Sequence, residues 1–229
     1  MSASTNTPKM TNNHAPESGD NATLIDVADV DEITPAPSKR RMESRRRILA
    51  AARALFVEKG YHGTRPQDIS KAAGVGHGTF YLHFADKLEC FLAFAEEASA
   101  ELSAFIEEHT AEQDDPEDAL CESLKAIFEY SDANPGVLAA ALTDISVLAT
   151  TDGEVKLPTD RWAEQWRDTV CGWQDEGVLK TDLDPLFAGY VILGIIRQSG
   201  VYAYRTNADQ NAMARDLARV ILRTLIPTT

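Results

Sequence analysis

The sequence predicts an all-α protein with roughly nine helices. From Glu43 onward, apolar residues recur at helical spacing. The interruptions fall at helix breakers such as Asp114-Asp115-Pro116, Asn134-Pro135-Gly136, Leu157-Pro158 and Asp184-Pro185. No run of alternating apolar residues flanked by turns suggests a sheet, and no internal repeat suggests a solenoid. With 229 residues, 44% of them hydrophobic, the chain is long enough for a substantial core in one or two domains.

The elements follow in order. Residues 1–38 carry one Lys (Lys9) against six acids, with only a brief apolar patch at Leu24, Ile25 and Val27. Such a segment cannot bury enough apolar surface to offset its ordering entropy, which predicts a disordered acidic arm. The stretch KRRMESRRR, residues 39–47, holds six cations and one acid and reads as a flexible basic arm leading into the first helix. In that helix Ile48, Leu49, Ala52, Leu55 and Phe56 share one face, Arg46, Arg47 and Arg53 fall off it, and Gly60 supplies the stop. Pro66 suits the first position of a helix over 66–73, with Ile69, Ala72 and Ala73 inward. Ala73-Gly74-Val75-Gly76 is a tight turn, and a short helix follows at 77–84. The remaining spans are 86–110, 116–132, 135–150, 159–177, 185–205 and 208–226.

Charge narrows the function. The chain carries −14 overall, yet residues 39–94 hold 11 basic residues against 5 acidic, and residues 95–229 hold 10 against 25. A basic block between acidic ones is the footprint of a small polyanion-binding module attached to something with another task; the alternative is a solvated arginine cluster. No stretch approaches the ~18 consecutive apolar residues of a membrane span. The opening residues MSASTNTPKMTNNH lack the apolar core of a signal peptide, so the expected location is the cytoplasm, with no membrane partner. Cys90, Cys121 and Cys171 are widely spaced, which argues against a disulfide framework or a zinc knuckle. An enzyme is disfavoured, because no nucleophile motif, Gly-rich phosphate loop or HExxH is present. His77 and His83 stand six apart and cannot chelate as an i, i+4 pair would, so neither metal nor cofactor is expected.

The segment 65–84, RPQDISKAAGVGHGTFYLHF, places two short helices around a turn, the helix-turn-helix pattern in which the first helix braces a second that lies in the major groove. Phe80 and Phe84 face inward, while Gly78, Thr79, Tyr81 and Leu82 project outward. Gly78 lets the backbone approach closely, the hydroxyls of Thr79 and Tyr81 suit phosphate oxygens, and His77 reaches a phosphate or a base edge. Lys87 opens the next helix, where free N–H groups and the helix dipole favour an anion.

The longer string Ile48-Leu49…Ala52…Leu55-Phe56…Gly60-Tyr61…Thr64…Asp68-Ile69…Ala72-Ala73-Gly74-Val75…Gly78-Thr79-Phe80-Tyr81-x-His83-Phe84…Lys87 closely resembles the N-terminal domain of TetR-family transcriptional regulators. The likeness spans about residues 42–102. It implies a three-helix DNA-binding head (42–102) and a helical ligand-binding and dimerisation body (103–229). The implied function is a homodimeric repressor that binds an inverted-repeat operator in double-stranded DNA and is released by a small, largely apolar effector. Carried over by position, the DNA-binding residues are Thr64, Arg65, Gln67, His77, Gly78, Thr79, Tyr81, His83 and Lys87, to which the basic arm adds Arg45 and Arg46. Two departures stand out. Arg65 and Gly76 occupy helix-capping positions where the family usually has Ser or Thr. The rival reading is a helical small-molecule sensor or carrier that no longer binds DNA.

In the body, the uncharged run LFAGYVILGII at 186–196 predicts a helix buried on all sides. The expected dimer interface is Gly189, Leu193, Met213, Leu217, Val220 and Ile221. Trp162, Trp166, Val170 and Trp173 share a face, either as the aromatic wall of a pocket or as core packing. The full ligand set is Phe105, Leu124, Phe128, Ile145, Trp162, Trp166, Trp173, Leu193, Arg197 and Tyr202. Within it, Arg197 pairs either with an internal acid or with an anionic ligand.

Overall fold

The structure, a computed structural model, describes residues 38–113, 115–143, 157–179 and 182–225, so the acidic arm and Ile145 lie outside it. The described residues form nine helices and no strand: α1 Lys39–Gly63, α2 Pro66–Ala72, α3 His77–Tyr81, α4 Lys87–Thr110, α5 Pro116–Ala133, α6 Val137–Ala141, α7 Pro158–Asp175, α8 Pro185–Thr206 and α9 Gln210–Leu225. Sequence punctuation explains the starts. Pro stands in the first turn of α2, α5, α7 and α8, and Asp86, Asp115 and Asp184 each accept a bond from a backbone N–H one turn on.

The basic stretch is not a flexible lead-in. Ser38 caps α1, its Oγ accepting from the Arg41 N–H at 3.3 Å, so residues 39–47 are the first turns of the helix. Gly60 does end the regular helix: at φ +69° it breaks the path before the turn at Tyr61–Gly63.

Two apolar clusters share α4. The first joins Ile48, Leu49, Ala52 and Phe56 of α1 to Ile69, Phe80, Phe84, Phe91 and Phe94, and takes in Val137, Ala140 and Ala141 of α6. The second begins at Leu102 and gathers Leu124, Phe128, Trp162, Val170, Trp173, Ile192, Leu193, Leu217 and Ile221. Ala72 is exposed although Ala73 is buried, because α2 ends at that point and Ala73 turns under it.

Packing also redistributes the expected ligand and dimer residues. Leu124, Phe128, Trp162, Trp173 and Leu193 are buried against one another, with Phe105 and Trp166 beside them, so the tryptophan face is core packing here. Arg197 and Tyr202 are instead on the surface. Gly189 does not await a partner: a Cβ there would lie 2.2 Å from the Ala163 carbonyl oxygen, so α8 crosses α7 in backbone contact. Leu193, Leu217 and Ile221 are likewise buried within the chain, whereas Met213 is half-buried and Val220 exposed. Nor is α8 buried on all sides. Leu186, Phe187, Tyr190 and Val201 form an exposed stripe opposite Ala188, Ile192, Ile196 and Ala203. An open groove of about 460 Å³ between α8 and α9 is lined by Gln198, Ser199, Tyr202, Met213, Asp216, Leu217 and Val220.

Candidate nucleic-acid interface

The head holds α3 rigidly from one side. Phe80 and Phe84 are buried and their rings sit 5.7 Å apart, tilted at 45°, which fixes the rotation of the five-residue helix. The turn before it is closed from α1. Gly74, at φ +62°, lies under the Arg47 guanidinium, which donates to the carbonyls of Ala73 and Gly74. A Cβ at residue 74 would meet Arg47 Nη2 at 2.7 Å. The sequence marked Arg47 only as off the apolar face. Its role depends on a turn 26 residues away, which periodicity does not reveal.

The outward positions of α2 and α3 are open. Arg65 makes no capping bond to α2 and is exposed, as is Gln67. His77 and Gly78 are exposed, Thr79 is half-buried, and Tyr81 is 50% exposed with its ring edge-on to His77 at 5.1 Å. Arg45 lies over the Phe84 ring at 5.1 Å, and the exposed Arg46 is paired with Glu43 at 2.8 Å, a surface pair that a phosphate can replace. These side chains occupy one end of the head.

Three of the expected DNA contacts are used inside the chain instead. The Thr64 side chain is fully buried, its hydroxyl donating to the carbonyls of Leu55 at 3.1 Å and Gly60 at 2.8 Å, so it has no access to a phosphate. Lys87 Nζ donates to the carbonyls of Tyr61 at 2.9 Å and Thr64 at 3.1 Å and sits 4.2 Å from the Tyr61 ring centroid; burial lowers its pKa. It clamps α4 to the end of α1. His83 Nε2 meets Ser44 Oγ at 2.7 Å, and burial together with the nearby Arg41 and Arg45 lowers its pKa, favouring the neutral ring. The α4 N-terminus is also occupied: Asp86 accepts from the Glu89 N–H, and the Glu89 carboxylate accepts from the Ala85 N–H. The chain supplies its own anions where a phosphate was expected.

The family model for bacterial regulatory proteins of the tetR family matches residues 48–94, the stretch that builds this head. Over 186 residues the chain is 35% identical to the HTH-type transcriptional repressor AcnR of Corynebacterium efficiens, covering 80% of this chain and 93% of that one. This chain belongs to the TetR family. It is a DNA-binding transcriptional regulator. The fold agrees with other TetR-family structures. A tetR family transcription regulator from Shewanella sp. PV-4 superposes with a TM-score of 0.66 at 19% identity, covering 81% of this chain and 99% of that one. The regulator FadR of Bacillus subtilis in complex with stearoyl-CoA gives a TM-score of 0.59 at 20% identity, covering 77% and 97%.

Proposed function

We propose that this TetR-family chain is a homodimeric repressor that acts in the cytoplasm by binding an inverted-repeat operator, and that it works by binding rather than by catalysis. The observation that carries the reading is the one-sidedness of α3. Phe80 and Phe84 are buried on one side, and everything opposite them is open. Arg65, Gln67, His77 and Tyr81 are its base-edge and phosphate contacts, with Thr79, Arg45 and Arg46 reaching the flanking backbone.

Two copies are needed because one five-residue helix reads only a half-site. The exposed stripe of Phe187, Tyr190 and Val201, together with the groove lined by Val220 and Met213, supports α8 and α9 as the dimer face. The likeness to a fold that binds stearoyl-CoA supports an effector with a long apolar part. The cleft between α4 and α7 at Leu92, Ala95 and Trp162, flanked by the Glu96–Arg161 ion pair, has room for about one water. An effector that enters at this cleft displaces side chains there, and that displacement is the proposed switch. The Trp162 Nε1–H, buried with no partner among the described residues, is a donor such a ligand can use.

The test is a selection of duplexes from a random pool, followed by a screen of acyl and aromatic compounds read by tryptophan quenching and duplex release together. Enrichment of an inverted repeat and release by a quenching compound are expected. Enrichment of no sequence defeats the DNA half of the reading. Quenching without release across the screen defeats the effector half.

A further inference from the structure

The centre of the DNA-facing side of α3 has no hydrogen-bonding side chain. Residues four apart lie on one ridge of a helix, and the ridge opposite Phe80 and Phe84 consists of Gly78 and Leu82. Leu82 continues the helical backbone, its N–H donating to the Gly78 carbonyl at 3.2 Å, so the two residues share a turn. Leu82 is 70% exposed, which leaves its isobutyl group outside both apolar clusters. Gly78 is not among the glycines with positive φ, and a Cβ built on it meets nothing within 4 Å. Nothing inside the chain requires glycine there, in a short helix that glycine weakens. The open space over residue 78 and the exposed apolar group of residue 82 make a ledge, bordered on one edge by His77 and Tyr81.

We infer that this ledge reads a thymine methyl group. The C5-methyl of thymine is the apolar feature that base edges present in the major groove, and it is the feature a ridge without donors or acceptors can recognise. Gly78 lets the ridge come close enough for the methyl to enter, and Leu82 covers it from the side. Polar readout then falls to Arg65 just before α2, to Gln67 on it and to His77 at the start of α3. The inference rests on the reading of α3 as the recognition helix.

The experiment uses the full chain and the duplex it selects from a random pool. Each thymine of one half-site is replaced in turn by deoxyuridine, which removes only the methyl. One position is expected to lose affinity by about fourfold, the worth of one buried methyl-sized group. Leu82→Ala should bind the thymine and uracil duplexes at that position equally, with its helical circular dichroism unchanged. Gly78→Ala should keep the fold and lose at least tenfold in binding to the selected duplex. Selection of no sequence overturns the recognition-helix reading together with this one. A selected site where no uracil matters, or where the uracil penalty survives in Leu82→Ala, overturns only the methyl reading.

Discussion

At the residue scale, what decides a role is the number of partners the fold already supplies. Thr64 and Tyr81 both belong to the motif, and both carry a hydroxyl. One hydroxyl is fully buried and donates to two carbonyls; the other residue is half exposed on the recognition helix. Thr64→Val is therefore expected to cost about 1 kcal/mol of stability in urea unfolding while leaving binding to nonspecific DNA unchanged at low temperature. Gly189 is the opposite case, a residue of no chemistry with a strict steric role. Because a Cβ there would run into the Ala163 carbonyl, Gly189→Ala is expected to cost about 1–3 kcal/mol, seen as a lowered melting temperature.

At the element scale, α1 is tied to the body by a polar network. Arg53 Nη1 donates to both oxygens of Glu101 at 2.7 and 2.8 Å, the Tyr130 hydroxyl donates to Glu101 at 2.7 Å, and Arg53 Nη2 reaches Asn134 at 3.2 Å. One carboxylate thus joins α1, α4 and α5. The bond from Arg53 holds the Glu101 carboxyl below its ordinary range against the opposing effect of burial, and Tyr130 is pushed up to about 12, by burial first. A lowered carboxyl contributes stability that is present above its unfolded pKa, near about 4.3, and is lost as pH falls through the lower folded value. Glu101→Gln should therefore melt below the wild type at pH 7, by about 1 kcal/mol or less for so exposed a pair, and the gap should close below about pH 4. A gap of the same size at acid pH would mean that the glutamine disturbs packing rather than the ion pair.

At the scale of the whole molecule, the exposed stripe of α8 and the charge of the chain ends are open to test. Phe187→Glu with Val201→Glu places charges on the exposed stripe of α8 without touching its buried face. The double variant is expected to sediment as a monomer with unchanged helicity and to lose the selected operator. Loss of operator binding in a variant that still dimerises would relocate the interface. The acidic arm allows a separate test. Competition by its six acids for Arg40, Arg41, Arg45 and Arg46 in the free protein is the proposal under test. Removing residues 1–37, with the Ser38 cap kept, should raise affinity at low salt. Removing 1–47 deletes the first turns of α1 and should lower affinity and flatten its salt dependence.

By itself the sequence determined the all-helical class, most helix boundaries, the helix-turn-helix and the inward and outward sides of α3, because these depend on spacing and breakers within a few residues. Tertiary structure decided which exposed-looking groups remain available. Lys87, Thr64 and His83 are committed to partners 4 to 39 residues away, and Arg47 to a turn it reaches only after the chain folds back. The same holds in the body. An apolar run such as 186–196 is equally hydrophobic on every side in sequence, and only the placement of α7 separates its core face from its exposed face. Periodicity records that a side chain is apolar or polar, whereas the neighbour that satisfies it comes from distant segments and has no signature in the local pattern.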